Sequence, residues 1–123
     1  MTQKFTIHDR LPGMNDYTAQ QRSNKYGGNL MKRHAQKAIE YEIRAAKVKP
    51  IKVPVTITYT FYEPNKRRDK DNIAGFAHKV IQDALVSVGI IKDDGWDYIT
   101  GFEDRFEIDR KQPHIDVILE YEQ

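Results

Sequence analysis

An α+β fold, in one domain over residues 1–123, is the expectation for this chain. Three observations predict it. Alternating strand patterns stand near both ends and in the middle of the chain. Two long amphipathic helical patterns lie between them. No internal repeat, linker or low-complexity segment divides the sequence. The expected order is β-α-α-β-α-β-β, a small mixed sheet of about four strands covered by helices.

Lys4-Phe5-Thr6-Ile7-His8 alternates and reads as a short first strand. Leu11-Pro12-Gly13 breaks it, and Asn15-Asp16 can cap a helical turn through Tyr17 and Gln21. Gly27-Gly28 is expected to interrupt. From Asn29 to about Ala46, Met31, Ala35, Ala38-Ile39, Ile43 and Ala46 recur at helical steps. Arg33, Lys37, Glu40 and Arg44 take the opposite face, and Lys47-Val48-Lys49-Pro50 ends the helix. Val53 to Tyr62 is the clearest strand. Val53, Val55, Ile57, Tyr59 and Phe61 share one face, and Pro54 sits near the start, where a missing amide donor is tolerated. Glu63-Pro64-Asn65-Lys66 is a turn. Residues 71–88 form a second helix with an apolar stripe from Ile73 to Val88, stopped by Gly89. After an Asp93-Asp94-Gly95 turn, strands are expected over Ile99–Ile108 and His114–Tyr121. Phe76 and Trp96 are expected in the core.

Composition narrows the chemistry. No apolar run approaches the roughly 18 residues that span a bilayer, so no membrane partner is expected. Met1-Thr2-Gln3-Lys4-Phe5 has no signal-peptide core, which points to the cytoplasm. The chain has no cysteine, which excludes disulfides and thiolate metal sites. His8, His34, His78 and His114 show no paired zinc spacing, so a bound metal should be a hard, oxygen-liganded ion. The net charge of +2 conceals a split. Residues 1–70 carry 15 Lys and Arg against 6 Asp and Glu; residues 71–123 carry 5 against 12, for net charges of +9 and −7. A basic half suits a polyanion, and an acidic half suits one only where cations neutralise it. Two ordinary solvated faces would read the same way.

The chemistry concentrates in Arg67-Arg68-Asp69-Lys70-Asp71-Asn72, followed by Lys79 and Asp93-Asp94. Asp69 and Asp71 stand two apart in an extended lead-in, so both carboxylates can converge on one site. Mg²⁺, for which Mn²⁺ can substitute, takes oxygen ligands and keeps waters, so two or three carboxylates hold it. Asp93 and Asp94 are the candidates for further ligands. An 18-residue helix separates the pairs by about 27 Å, so the chain would have to fold back. Such a site would activate water against a phosphodiester, with Lys66, Arg67, Arg68, Lys70 and Asn72 as nucleic-acid contacts. Lys79 could stabilise charge at the phosphate, and Arg33 and Lys37 could extend the contact. Plainer readings stand beside these. Either aspartate can be a helix cap, Lys79–Asp83 a surface ion pair, Asp93-Asp94-Gly95 a turn, and the Arg33/Lys37 face solvated.

Arg68-Asp69-Lys70-Asp71-Asn72, then Asp83-Ala84-Leu85, Gly89 and Asp93-Asp94, resemble the RusA family of Holliday junction resolvases over about Val53 to Ile99. The resemblance implies a homodimeric, magnesium-dependent endonuclease that cuts four-way DNA junctions by paired symmetric nicks in recombination and repair. No protein cofactor is implied, and a phage or prophage gene in a bacterial cell is the expected source. Asp69, Asp71 and Asp94 match the family's catalytic carboxylates, Asp93 the acidic neighbour of the last, and Lys79 its lysine. The chain departs at one point: the family lysine lies one turn nearer D-x-D-N, where Gly75 stands here. Counting back from Asp83 restores the match, as though four residues were inserted, a shift of about 6 Å along the helix. A non-catalytic DNA-binding scaffold and a nuclease for forks or flaps are the alternatives.

Overall fold

The structure, a computed structural model, describes residues 1–24 and 26–122. In chain order the elements are β1 (Thr2–Ile7), α1 (Met14–Ser23), α2 (Gly27–Ala45), β2 (Val55–Glu63), α3 (Lys70–Ser87), β3 (Ile99–Ile108) and β4 (His114–Glu120). The order and the mixed sheet are as expected. The sheet runs β1-β4-β2-β3, with β2 and β3 parallel and the other pairs antiparallel. The parallel pair needs a crossover, which α3 supplies. Its first turn therefore follows the C-terminal end of β2, and its last turn leads back to the start of β3.

Alternation decides which face is buried. Phe5 and Ile7, Ile57, Tyr59 and Phe61, and Ile115, Val117 and Leu119 meet across the register and are buried. Their neighbours Thr6, Thr60 and Asp116 are only partly covered. One sheet face thus carries the core and the other is polar. The stripe on α3 from Ile73 to Leu85 is buried, and Ile39 and Ile43 bring α2 into the same cluster. α3 ends in a Schellman motif: the Gly89 amide donates to Val86 O at 3.0 Å and the Ile90 amide to Leu85 O at 2.9 Å. Gly89 takes φ +80°, which its missing Cβ makes inexpensive.

Several details differ from the expectation. α1 is ten residues long, and Gly13, not Asn15 or Asp16, is its N-cap. Asp16 sits inside the first turn and accepts from the Gly13 amide at 3.0 Å. Gly27 and Gly28 begin α2 instead of interrupting the chain. A Cβ on Gly28 would lie 2.5 Å from Gln21 Cγ, so the glycine permits α1 and α2 to meet closely. β1 starts and ends earlier than expected, and β2 takes in Glu63, which is buried. Phe76 is core, but Trp96 is 98% exposed. It stands in the turn just before β3, and none of the described residues covers its ring.

Candidate metal and nucleic-acid site

Asp69 is the N-cap of α3 in extended backbone, yet its carboxylate makes no capping hydrogen bond. Asp71 lies in the first turn, where one of its oxygens accepts from the Asn72 amide at 2.9 Å. Both side chains are exposed, and neither forms an ion pair with a described residue. The helix N-terminus favours their negative charge and leaves oxygens free for a cation. They line a cleft of about 800 Å³ together with Lys66, Lys70, Phe106 and Ile108. Lys70 Nζ stands 5.5 Å from the Phe106 ring centroid. Lys66 and Arg67 are exposed, and their side chains pair with no described carboxylate.

Arg68 is committed elsewhere. Its Nε and Nη2 donate to the two oxygens of Glu63 at 3.0 and 2.8 Å, and Nη1 donates to Leu11 O at 3.0 Å. Arg10 Nη2 adds a third bond to Glu63 at 2.8 Å, although the buried Arg10 Nε finds no described partner. Arg68 therefore pins the chain one residue before Asp69 and is not available to grip phosphate. Asn72 is likewise spent within the fold: its Oδ1 accepts from the Asn15 amide at 2.7 Å and abuts Gly13, where a Cβ would sit 2.6 Å away. Arg33 and Lys37 are exposed on α2 without carboxylate partners among the described residues.

Lys79 is the tenth of the 18 residues of α3. Its Nζ lies 3.1 Å from Asp83 and 3.6 Å from Asp94, and Lys32 of α2 meets Asp83 at 2.7 Å. The hydrogen bond to Asp83 raises the Lys79 ammonium above its ordinary value, against a smaller opposing effect of burial. Burial alone would raise Asp83, but Lys32 and Lys79 together pull it below the usual carboxylate range. Lys79 is thus a permanent cation at neutral pH and cannot serve as a base. Asp93 accepts from the Asp94 amide at 2.8 Å and is exposed.

The turn after α3 does fold back, but only to the middle of the helix. From Asp71 to Lys79 the helix advances about 12 Å and turns about 80° away. Among the described residues, no three His, Asp or Glu side chains are grouped to share one metal ion. Asp69 and Asp71 line one cleft; Asp94, next to Asp93 in the turn, reaches Lys79; among the described residues the two sets form no common metal-holding group.

Sequence reasoning missed Glu63, Lys32 and a second pair, His78 and Asp104. Glu63 reads as a turn residue, and nothing in its neighbours signals that two arginines will bury it. His78 Nε2 lies 2.7 Å from Asp104 Oδ1, with the Tyr59 and Phe102 rings at 4.8 and 4.6 Å. Burial pushes the Tyr59 phenol well above its ordinary value, and the hydrogen bond from Gln82 opposes that rise. No family model matches this chain, and a search of curated proteins finds no significant relative.

Proposed function

We propose that this protein is a magnesium-dependent, structure-specific endodeoxyribonuclease that resolves four-way DNA junctions by paired symmetric nicks. One observation carries the reading: two unpaired carboxylates, Asp69 and Asp71, share the mouth of a cleft with unpaired Lys66 and with Lys70. That donor set fits a hard divalent cation, which needs few carboxylates when phosphate and water complete its shell. Asp69 and Asp71 would hold it, and when bound it supplies Lewis-acid polarisation at a phosphodiester. Lys66, Arg67 and Lys70 attract the backbone beside the carboxylates. Arg68 and Glu63 hold the loop so that Asp69 meets the first turn of α3 in one geometry. Lys79, kept charged by Asp83, supplies fixed positive charge on the flank of α3.

Asp71→Asn should abolish magnesium-dependent cleavage of a four-way junction while binding persists or tightens, because a carboxylate that repels phosphate is gone. Unchanged cleavage by that variant overturns the assignment. A second reading, a non-catalytic DNA-binding protein, is favoured by the separation of the two aspartate pairs within one chain. It expects salt-sensitive binding and no nicking of four-way, forked or linear DNA with either Mg²⁺ or Mn²⁺.

A further inference from the structure

Two unlike sets of residues line the cleft at the start of α3. Lys66, Asp69, Lys70 and Asp71 are charged, whereas Phe106 and Ile108 are apolar. Metal and phosphate chemistry accounts for the first set and has no use for the second. The Phe106 ring stacks on Phe61, with centroids 5.3 Å apart, and is only partly covered. Ile108 stands outside the core cluster and is 42% exposed.

We propose that the cleft holds one unstacked nucleotide, its base against Phe106 and Ile108 and its phosphate beside Lys66 and the Asp69-Asp71 pair. The placement of the phosphate rests on the function proposed above; the base subsite does not.

Size and composition select the ligand. At about 800 Å³ the cleft falls in the range of small-ligand sites, which admits one nucleotide and no duplex. A base paired in a helix hides its faces in the stack, so only an unstacked base reaches Phe106. An aromatic ring accepts the face of any base, which makes Phe106 a platform and not a reader of sequence. Because that ring is already held against Phe61, little side-chain freedom is lost when a base stacks on it.

Polar groups beside the apolar patch complete the fit. Asn65 also lines the cleft, and its Oδ1 accepts from the Arg67 amide at 3.0 Å, which leaves its Nδ2 donors unbonded among the described residues. Those donors suit an acceptor on the edge of a base. The Lys70 ammonium stands over Phe106, 5.5 Å from the ring centroid. Its side chain is exposed and flexible, so it yields its place to a base while its charge stays in the cleft to face the phosphate. Asp69 and Asp71 repel that phosphate until a divalent cation lies between them.

Fluorescence titration of the full chain with 2-aminopurine probes tests the subsite, with Ca²⁺ as the oxygen-liganded ion and the DNA checked for nicks. A duplex carrying one unpaired 2-aminopurine should bind about tenfold more tightly than the same duplex fully paired, and its emission should be quenched as the base stacks. Phe106→Ala and Ile108→Glu should each erase that preference and leave the paired duplex bound as before. The Phe106 variant loses its contact with Phe61 and so risks the fold; Ile108→Glu lies at an exposed position and carries the test in that case. The free 2-aminopurine mononucleotide separates the two sources of the ligand. Binding that Ile108→Glu abolishes, without any preference between the duplexes, assigns the cleft to a free nucleotide. No preference between the duplexes together with no binding of the mononucleotide overturns the proposal, as do effects that Ile108→Glu leaves untouched. Binding that is equally tight without Ca²⁺ overturns the placement of the phosphate. Absence of junction cleavage counts against the nuclease reading alone, since none of these readouts uses it.

Discussion

At the scale of single residues, Glu63 does most to shape the candidate site without belonging to its chemistry. It is 4% exposed and accepts three hydrogen bonds from two guanidinium groups. Removing its charge leaves Arg68, whose side chain is 16% exposed, as an uncompensated cation. Glu63→Gln should therefore lower stability by about 3 kcal/mol. The value sits at the low end because the Arg10 side chain is 35% exposed and partly screened by water. Urea unfolding measures the loss, and an unchanged midpoint would mean that the arginines find water instead. This residue also marks the limit of reading from the chain. Arg67 and Arg68 are adjacent and chemically alike, yet one is exposed without a carboxylate partner among the described residues and the other is a half-buried tether. Only a carboxylate that arrives from β2 tells them apart.

At the scale of elements, α3 was the most legible part of the chain and the most consequential. Its apolar stripe, its start beside Asp69 and its stop at Gly89 all follow from helical periodicity and end signals. Gly89→Ala should cost about 1–2 kcal/mol, the usual penalty for a side chain in the left-handed region. Thermal or urea unfolding reads it directly; no measurable loss would show that the Schellman turn rearranges freely. The glycine pair at residues 27–28 was misread for a physical reason. A glycine pair signals a chain break when the need is conformational, but here Gly28 answers a need for space against Gln21. Trp96 was misread because an apolar side chain is expected inside unless a neighbouring element fails to cover it. Its 98% exposure is a property of its place in an uncovered turn, not of the residue.

At the scale of the whole molecule, Asp83 ties α2 to α3 through Lys32 and to the acidic turn through Lys79 and Asp94. Its depressed pKa sets the sign of a pH effect. The stabilisation it provides is complete well above the ordinary carboxylate value of 3.8 and is lost as pH falls through the lower folded value. The gap in urea midpoint between wild type and Asp83→Asn should thus shrink as pH drops from about 6 to about 3. A constant gap would mean that the charge contributes nothing. Lys79 works in the opposite range: its contribution is present below its ordinary value of 10.5 and fades above it. The sequence by itself determined the fold class, the order of elements and the pairing of Asp69 with Asp71, because all three depend on local periodicity and on residues two apart. Tertiary structure alone decided that Asp94 stops at Lys79, that Arg68 is tied to Glu63 and that β3 is left as an open edge. Those outcomes depend on how far a helix reaches and on which surfaces the remaining chain is long enough to cover, and no local pattern encodes either.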